Sequence, residues 1–316
     1  MEALQRKPLA FSSGDDIVSA SSRIPLTVKD GNILNIEIFD GNTSESSPIL
    51  LVTHGICESA ETLGIQAIVA KAEEQSVKVA VLELQGHGLS SGQKGVCGDF
   101  DLLLAHFLEF VQVSVPELRG QSNAPYFITG NSLGGTIAIY AAEKIANDKK
   151  AFPSNFKGVA SIAPAVGVDP RAVPSFPIVQ CLKFLSCLAP AAELPLTPLE
   201  DPTHYNCPAN SSRNYVGHWP LSTSKMLLDI TSSKVGKDLK ENNLSLGQVN
   251  SVLIVAAEND QVVPSESISL LHESINPVQK RLLSVPDAGH DLLFQRKSSA
   301  FVLSALFEWM KVSANE

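Results

Sequence analysis

The chain has 316 residues, 44% of them hydrophobic and 18% charged, with a formal net charge of −9 and a pI near 5.3. That size and apolar share suit one large α/β domain, or a domain with an insertion. With no concentrated basic stripe, nucleic acid is excluded as a partner, and the acidity reads as a soluble surface.

The five cysteines are Cys57, Cys97, Cys181, Cys187 and Cys207. The odd number, irregular spacing and lack of Cys-x-x-Cys indicate neither a disulfide framework nor a zinc site. Residues 1–16 carry no apolar core of signal-peptide length, and no apolar run is long enough to span a membrane. A cytoplasmic location follows as the default expectation. Peripheral membrane contact stays open, and nothing in the sequence speaks to oligomeric state.

In chain order, residues 1–20 read as a loose polar tail. Ile24–Lys29 and Ile33–Phe39 flank Asp30-Gly31-Asn32, a hairpin signal. Asn42–Pro48 is a Ser-rich loop. Ile49–Thr53 is a continuous apolar run, as in a strand buried on both faces. Thr62–Gln75 has helical character, Val77–Leu84 is the next strand and Phe100–Val115 the next helix. Tyr126-Phe127-Ile128 leads through Gly130-Asn131-Ser132-Leu133-Gly134 into a helix-forming segment that runs to Ala146. Gly158–Ala163, Val252–Ala257 and Arg281–Val285 read as further strands. Phe301–Val312 closes the chain with apolar residues at helical spacing. Strands alternating with helices imply a mostly parallel sheet covered on both faces, opened by an antiparallel hairpin.

The rhythm breaks between Ala165 and Asn250. This gap holds nine prolines, and its stretch from Ala172 to Leu199 carries only two charges, Lys183 and Glu193. It reads as a cap (residues 166–249) inserted into a core formed by residues 21–165 and 250–316. Ordinary helical packing against the core is the plainer alternative. An apolar segment beside a reactive site is a candidate substrate contact.

The chemistry centres on Gly130-x-Ser132-x-Gly134. A five-residue pattern of this kind occurs by chance with a probability of roughly 0.1 in such a chain. A strand before it and a helix after it raise its weight, because this is the setting of a nucleophile elbow. A serine hydroxyl needs a base to take its proton, and the base needs an acid to hold its tautomer. In this fold class the chain order is serine, acid, histidine. Asp260 sits just past the strand Val252–Ala257, with Glu258 as its rival. His290, in the loop Asp287-Ala288-Gly289-His290-Asp291, follows the last strand. His54 and His87 precede the serine, His106 and His272 sit in predicted helices, and His204 and His218 fall in the gap. The developing oxyanion needs backbone donors. The amide of Leu133 is one candidate. The amide of Ile56, in His54-Gly55-Ile56-Cys57-Glu58, is the other, unless that loop is a plain strand-to-helix turn. Leu84–Gly92 is glycine-rich without phosphate-binding spacing and reads as a structural turn, with His87 non-catalytic. No cofactor or metal is called for.

Taken together, His54-Gly55, Gly86-His87-Gly88-x-Ser90-x-Gly92, Gly130-x-Ser132-x-Gly134-Gly135, Asp260-x-Val262-Val263-Pro264 and Gly289-His290 resemble the monoacylglycerol lipase-like α/β-hydrolases. That group also contains lysophospholipases and caffeoylshikimate esterase. The resemblance runs from about Ile24 to the C-terminal helix and is weakest in the gap. It implies a serine esterase acting on a monoacylglycerol or similar small ester. It further implies Ser132 as nucleophile, Asp260 and His290 as partners, and the Ile56 and Leu133 amides as oxyanion hole. Asn131 stands where the group usually has His, and Cys57 where Gly is common. The His and the Arg-Tyr pair that usually follow the Glu are replaced within Ser59-Ala60-Glu61-Thr62-Leu63. These departures bear on recognition of the alcohol, not on the triad. Cys57 reads as a buried inert thiol, with a redox-sensitive one as the alternative. An esterase for small or aromatic esters, or a non-catalytic ligand-binding protein on the same scaffold, are the rival readings.

Overall fold

The structure is a computed structural model, and it describes residues 17–169, 173–193 and 211–315. Eight strands form one sheet: β1 (Ser22–Thr27), β2 (Ile33–Phe39), β3 (Ile49–Thr53), β4 (Lys78–Leu82), β5 (Tyr126–Asn131), β6 (Phe156–Ile162), β7 (Ser251–Ala257) and β8 (Gln279–Val285), in the order β1-β2-β4-β3-β5-β6-β7-β8. β1 pairs with β2, and β2 with β4, in antiparallel fashion; every other pairing is parallel. The sheet is open, and the expected α/β-hydrolase fold with its antiparallel opening hairpin is what the chain adopts.

The continuous apolar runs explain the centre of the sheet. β3, β4, β5 and β7 are buried at every position. Strands buried on both faces need helices on both sides. α1 (Leu63–Glu74) and α8 (Arg296–Ala314) cover one face, where Ile65, Ile68, Val302 and Leu306 pack on Leu50, Val52 and Phe127. α2 (Phe100–Arg119), α3 (Leu133–Asn147) and α7 (Ser265–Ser274) cover the other, with Phe107, Phe110, Ile137 and Ile268 in its core. Helices changing faces beside β3 leave a crevice at the carboxyl ends of the strands, the usual ligand position in such sheets.

Two helix boundaries differ from expectation. α2 passes through Pro116 and ends at Arg119 instead of Val115. The proline removes one N–H, but its own carbonyl still accepts the Gly120 amide at 3.1 Å, closing a further turn. α8 starts at Arg296, a turn before Phe301, because Ser298 turns inward and donates to the Leu292 carbonyl at 2.7 Å.

Between β6 and β7 lie α4 (Phe176–Leu188), α5 (Leu221–Asp229), a π-helical turn (Ile230–Lys234) and α6 (Val235–Lys240). Thr231, Ser232 and Ser233 each donate a hydroxyl to the carbonyl four residues back, at 2.8, 2.5 and 2.8 Å, which loosens the backbone ladder there. Part of this region, like most of the predicted N-terminal tail, His204 and Cys207, falls outside the described residues. Among the described residues no helix is long and apolar enough to cross a membrane.

Candidate active site

Ser132 sits between β5 and α3 at φ 52° and ψ −117°, a left-handed conformation that side chains rarely adopt. Such a residue costs about 1–3 kcal/mol and persists only where its surroundings over-determine it. Here they do. The Ser132 amide donates to the Ile162 carbonyl at 2.9 Å, while its carbonyl accepts from Thr136 and Ala165 at 3.1 and 3.2 Å. The flanking glycines admit the turn. A Cβ on Gly130 would lie 2.3 Å from the Gly134 carbonyl, and one on Gly134 only 2.5 Å from the carbonyl of His54. α3 begins at Leu133, so the first unpaired amides of that helix face the turn.

Asp260 and His290 come from neighbouring loops after β7 and β8. The two loops are stitched together: the Glu258 amide donates to Val285 and the Asn259 amide to Ala288, at 3.1 and 2.9 Å. His290 Nδ1 lies 2.8 Å from Asp260 Oδ2, and His290 Nε2 lies 3.0 Å from Ser132 Oγ. The other Asp260 oxygen accepts the amides of Val262 and Val263, both at 2.8 Å. Both carboxylate oxygens are therefore committed, and the carboxylate holds the imidazole proton on Nδ1, leaving the Nε2 lone pair toward the serine. The rival acid, Glu258, is exposed and accepts from Ser284 at 3.2 Å.

Burial pulls the His290 pKa down, but the charge and hydrogen bond of Asp260, with Asp291 and Glu58 behind them, prevail and raise it to about 9. Glu58 is itself buried, which pushes its pKa up to about 7, helped by the nearby Asp291. Its carboxylate accepts the Gly55 amide at 2.8 Å and faces the Asn131 side-chain amide at 3.3 Å. Asn131 thus turns beneath the serine and not toward solvent; its side chain is 2% exposed.

The loop from β3 to α1 carries the second predicted oxyanion donor. Gly55 N–H is taken by Glu58, and Cys57 N–H donates to His87 Nε2 at 3.1 Å. Of the loop's three central amides, those of Gly55 and Cys57 are thus engaged within the protein. Cys57 adopts φ 66°, and burial pushes its thiol pKa up to about 12, so it is protonated and inert at neutral pH. The four described cysteines are all free.

His54 and His87 act as backbone struts. His54 Nδ1 donates to the Gly55 carbonyl at 2.7 Å and its Nε2 accepts the Leu84 amide at 3.0 Å. His87 Nδ1 donates to Gln85 at 2.9 Å while Nε2 holds Cys57. Burial holds their pKa values down, to about 3 for His54 (with repulsion from His87) and about 4 for His87. Sequence reasoning set both aside as catalytic groups but saw no structural task for them. It also missed Glu83. This fully buried carboxylate accepts amides from Ala60 at 3.0 Å and Leu89 at 2.6 Å, and so joins the two glycine-bearing loops. The sequence showed only an acid closing the apolar run Val79-Ala80-Val81-Leu82, with nothing to say what it would meet.

A cavity of about 580 Å³ lies between the loop after β6, the π-turn with α6, and α7. Val166, Val168, Val173, Val235, Leu239 and Leu270 give it aliphatic walls, with Thr231, Ser232 and Ser267 at the edges. None of Ser132, Asp260 and His290 lines it. Its lining residue Val166 follows Ala165, whose amide is bonded to the Ser132 carbonyl.

Comparisons with known proteins agree with the motifs. The curated relatives include human monoglyceride lipase, 32% identical over 110 residues, and the rat enzyme, 30% identical over 112. Each match spans 34% of this chain and 32% of the relative, so only a third of those proteins' length is compared. Solved structures with the same fold include a soluble variant of monoglyceride lipase from Saccharomyces cerevisiae in complex with a substrate analog, with a TM-score of 0.70 at 16% identity, over 94% of this chain and 97% of that one. Monoacylglycerol lipase from Paleococcus ferrophilus has a TM-score of 0.65 at 21% identity, over 89% and 99%. Est1E from Butyrivibrio proteoclasticus with ferulic acid bound has 0.61 at 19%, over 92% and 99%. The family model described as serine aminopeptidase, S33 (Hydrolase_4) matches residues 44–297, most of the chain, and on that match this protein belongs to the S33 family of α/β-hydrolases.

Proposed function

We propose that this protein is a serine carboxylester hydrolase acting without a cofactor on a monoacylglycerol or similar lipid ester. The observation that carries this reading is the unbroken line from Asp260 through His290 to Ser132, at 2.8 and 3.0 Å. In this reading Ser132 Oγ attacks the ester carbonyl carbon as His290 Nε2 takes its proton. The carbonyl oxygen becomes an oxyanion held by the amides of Ile56 and Leu133. The intermediate collapses, His290 hands the proton to the departing alcohol oxygen, and an acyl-serine remains. Water, deprotonated by His290, then attacks the acyl carbon and releases the acid.

The substrate class rests on surroundings. The aliphatic cavity has the size of a ligand site. Most of its lining belongs to the segment 166–249, which on this reading is a cap over the strand ends, and the rest to α7. α4 supports the lipid assignment further: Phe176, Ile178, Phe184 and Leu188 are exposed, and its single charge, Lys183, is paired with Asp229 at 2.8 Å. Such a face suits peripheral contact with a lipid surface, where monoacylglycerols reside. The similarity to monoglyceride lipases points the same way. A reducing compartment, as in the cytoplasm, suits the free thiols.

The test is a panel of monoacylglycerols of increasing chain length, short p-nitrophenyl esters, feruloyl esters and aminoacyl anilides, each run beside Ser132→Ala. The lipid reading expects rates that rise with chain length and vanish in the variant. A preference for aromatic esters or for anilides would replace the substrate, and failure of a fluorophosphonate to label Ser132 would remove the enzyme.

A further inference from the structure

Outside the triad, one cluster of buried polar side chains has no part in the mechanism above. The loop bearing the Ile56 amide is gripped by a segment that follows it by more than 150 residues in sequence. Ser59 Oγ and Thr62 Oγ1 both donate to the side-chain oxygen of Asn214, at 2.5 and 3.0 Å. The Tyr215 amide donates to the Cys57 carbonyl at 3.0 Å. Ser211 donates to Glu61 at 2.5 Å, and Arg213 joins the same carboxylate at 3.0 Å while holding Glu37 at 2.6 Å. Asn214 itself is 7% exposed.

Within the loop, Cys57 stands at φ 66°. Its amide is pinned by His87 and its carbonyl by Tyr215. A left-handed non-glycine residue holds its place only under such restraint from outside. The residues just after it, Ser59 to Thr62, are closed on themselves: the Ser59 amide donates to Thr62 Oγ1 at 2.9 Å and the Thr62 amide to the Ser59 carbonyl at 3.1 Å. Asn214 clasps both hydroxyls of that turn. The loop therefore has its direction set from three sides: Glu83 through Ala60, His87 through Cys57, and the 211–215 segment.

We infer that Asn214 is a positioning residue for the oxyanion hole. Its carboxamide oxygen, accepting two hydroxyl hydrogen bonds, holds the β3–α1 loop so that the Ile56 amide points at the developing charge. This rests on the function proposed above. Asn214 touches no reacting atom. It acts through Ser59 and Thr62 on the backbone ahead of them, and a displacement of order an ångström there costs about 100-fold in rate. The segment runs on into α5, so the chain between β6 and β7 and the β3–α1 loop share one anchor.

The experiment is Asn214→Ala in the full-length enzyme, with kcat expressed per active site titrated by a fluorophosphonate. We expect kcat to fall between about 10- and 100-fold with KM within two-fold. The inhibition constant of an alkyl trifluoromethyl ketone, whose hemiketal oxyanion occupies the hole, should rise by the same factor. The paired Ser59→Ala/Thr62→Val enzyme should show the same loss, and adding Asn214→Ala to it should cost nothing more. This pair also serves as the test if Asn214→Ala does not fold. A purely structural role would lower the melting temperature and the titrated fraction yet leave kcat per site and ketone affinity unchanged, and that outcome overturns the inference. So does additivity of the variants. An inactive Ser132→Ala beside a wild-type Asn214→Ala removes this inference alone, whereas an active Ser132→Ala removes the function it rests on.

Discussion

The two walls of the crevice are built by opposite means. On the serine side, Gly130, Gly134 and the strand–helix junction lie within a few residues of one another, and the turn is dictated by which of them lack a Cβ. On the other side, the loop from His54 to Thr62 has bonds of its own, Gly55 to Glu58 and Ser59 to Thr62, but these do not orient it against the rest of the chain. It takes its shape from His87, Glu83, Asn214 and Tyr215, all remote in sequence. A local turn carries its own instructions; an assembled loop borrows them. The first is broken most directly at its glycines, while the second is also exposed to substitutions far from the chemistry.

The largest effects fall on what the two walls share. Ser132→Ala should remove essentially all esterase turnover, a loss of about 10⁶-fold, with the fold intact by circular dichroism. Asp260→Asn should cost about 10⁴-fold, because an amide in place of the carboxylate lets the imidazole take the wrong tautomer. A loss under ten-fold would mean Glu258 or another acid serves instead.

Gly134→Ala tests where the walls meet. Its new methyl would fall 2.5 Å from the His54 carbonyl, so elbow and loop must part. We expect kcat/KM to drop by about 100-fold, together with a lower melting temperature. An unchanged kcat would show that the two walls move independently.

Gly236→Phe reaches the cavity beyond both walls. Gly236 lines the cavity and a Cβ there meets nothing within 4 Å, so a larger side chain can be introduced at this wall. Turnover of long-chain esters should fall by roughly 10-fold while short esters keep their rate. Equal loss on both would move the acyl chain elsewhere.

The smallest effect is a displacement along the pH axis. His290 must be neutral to accept the serine proton, and its pKa is raised from 6.5 to about 9. kcat/KM should therefore climb with pH well above 6.5, the range of an ordinary histidine. Stability runs the other way. The folded state keeps this proton after the unfolded chain has lost it, so the contribution is full below pH 6.5 and lost as pH rises through about 9. An acid limb at or below pH 6.5 would mean that Asp260 does not stabilise the imidazolium in the free enzyme.

The sequence by itself determined what short-range rules control. Apolar runs buried on both faces specified the parallel strands. Asp30-Gly31-Asn32 specified the opening hairpin, and two glycines around Ser132 specified the elbow. The chain order of serine, acid and histidine picked out Asp260 and His290, which the fold brings within hydrogen-bonding distance of each other and of Ser132. The end of α2 escaped because Pro116 reads as a stop, whereas the chain keeps helical geometry past it and the Pro116 carbonyl still accepts the Gly120 amide. The tasks of His54, His87, Glu83 and Asn214 were decided only in three dimensions. Each is a buried polar group whose value depends on which distant amide or hydroxyl it meets, and no local pattern records a partner 30 or 155 residues away.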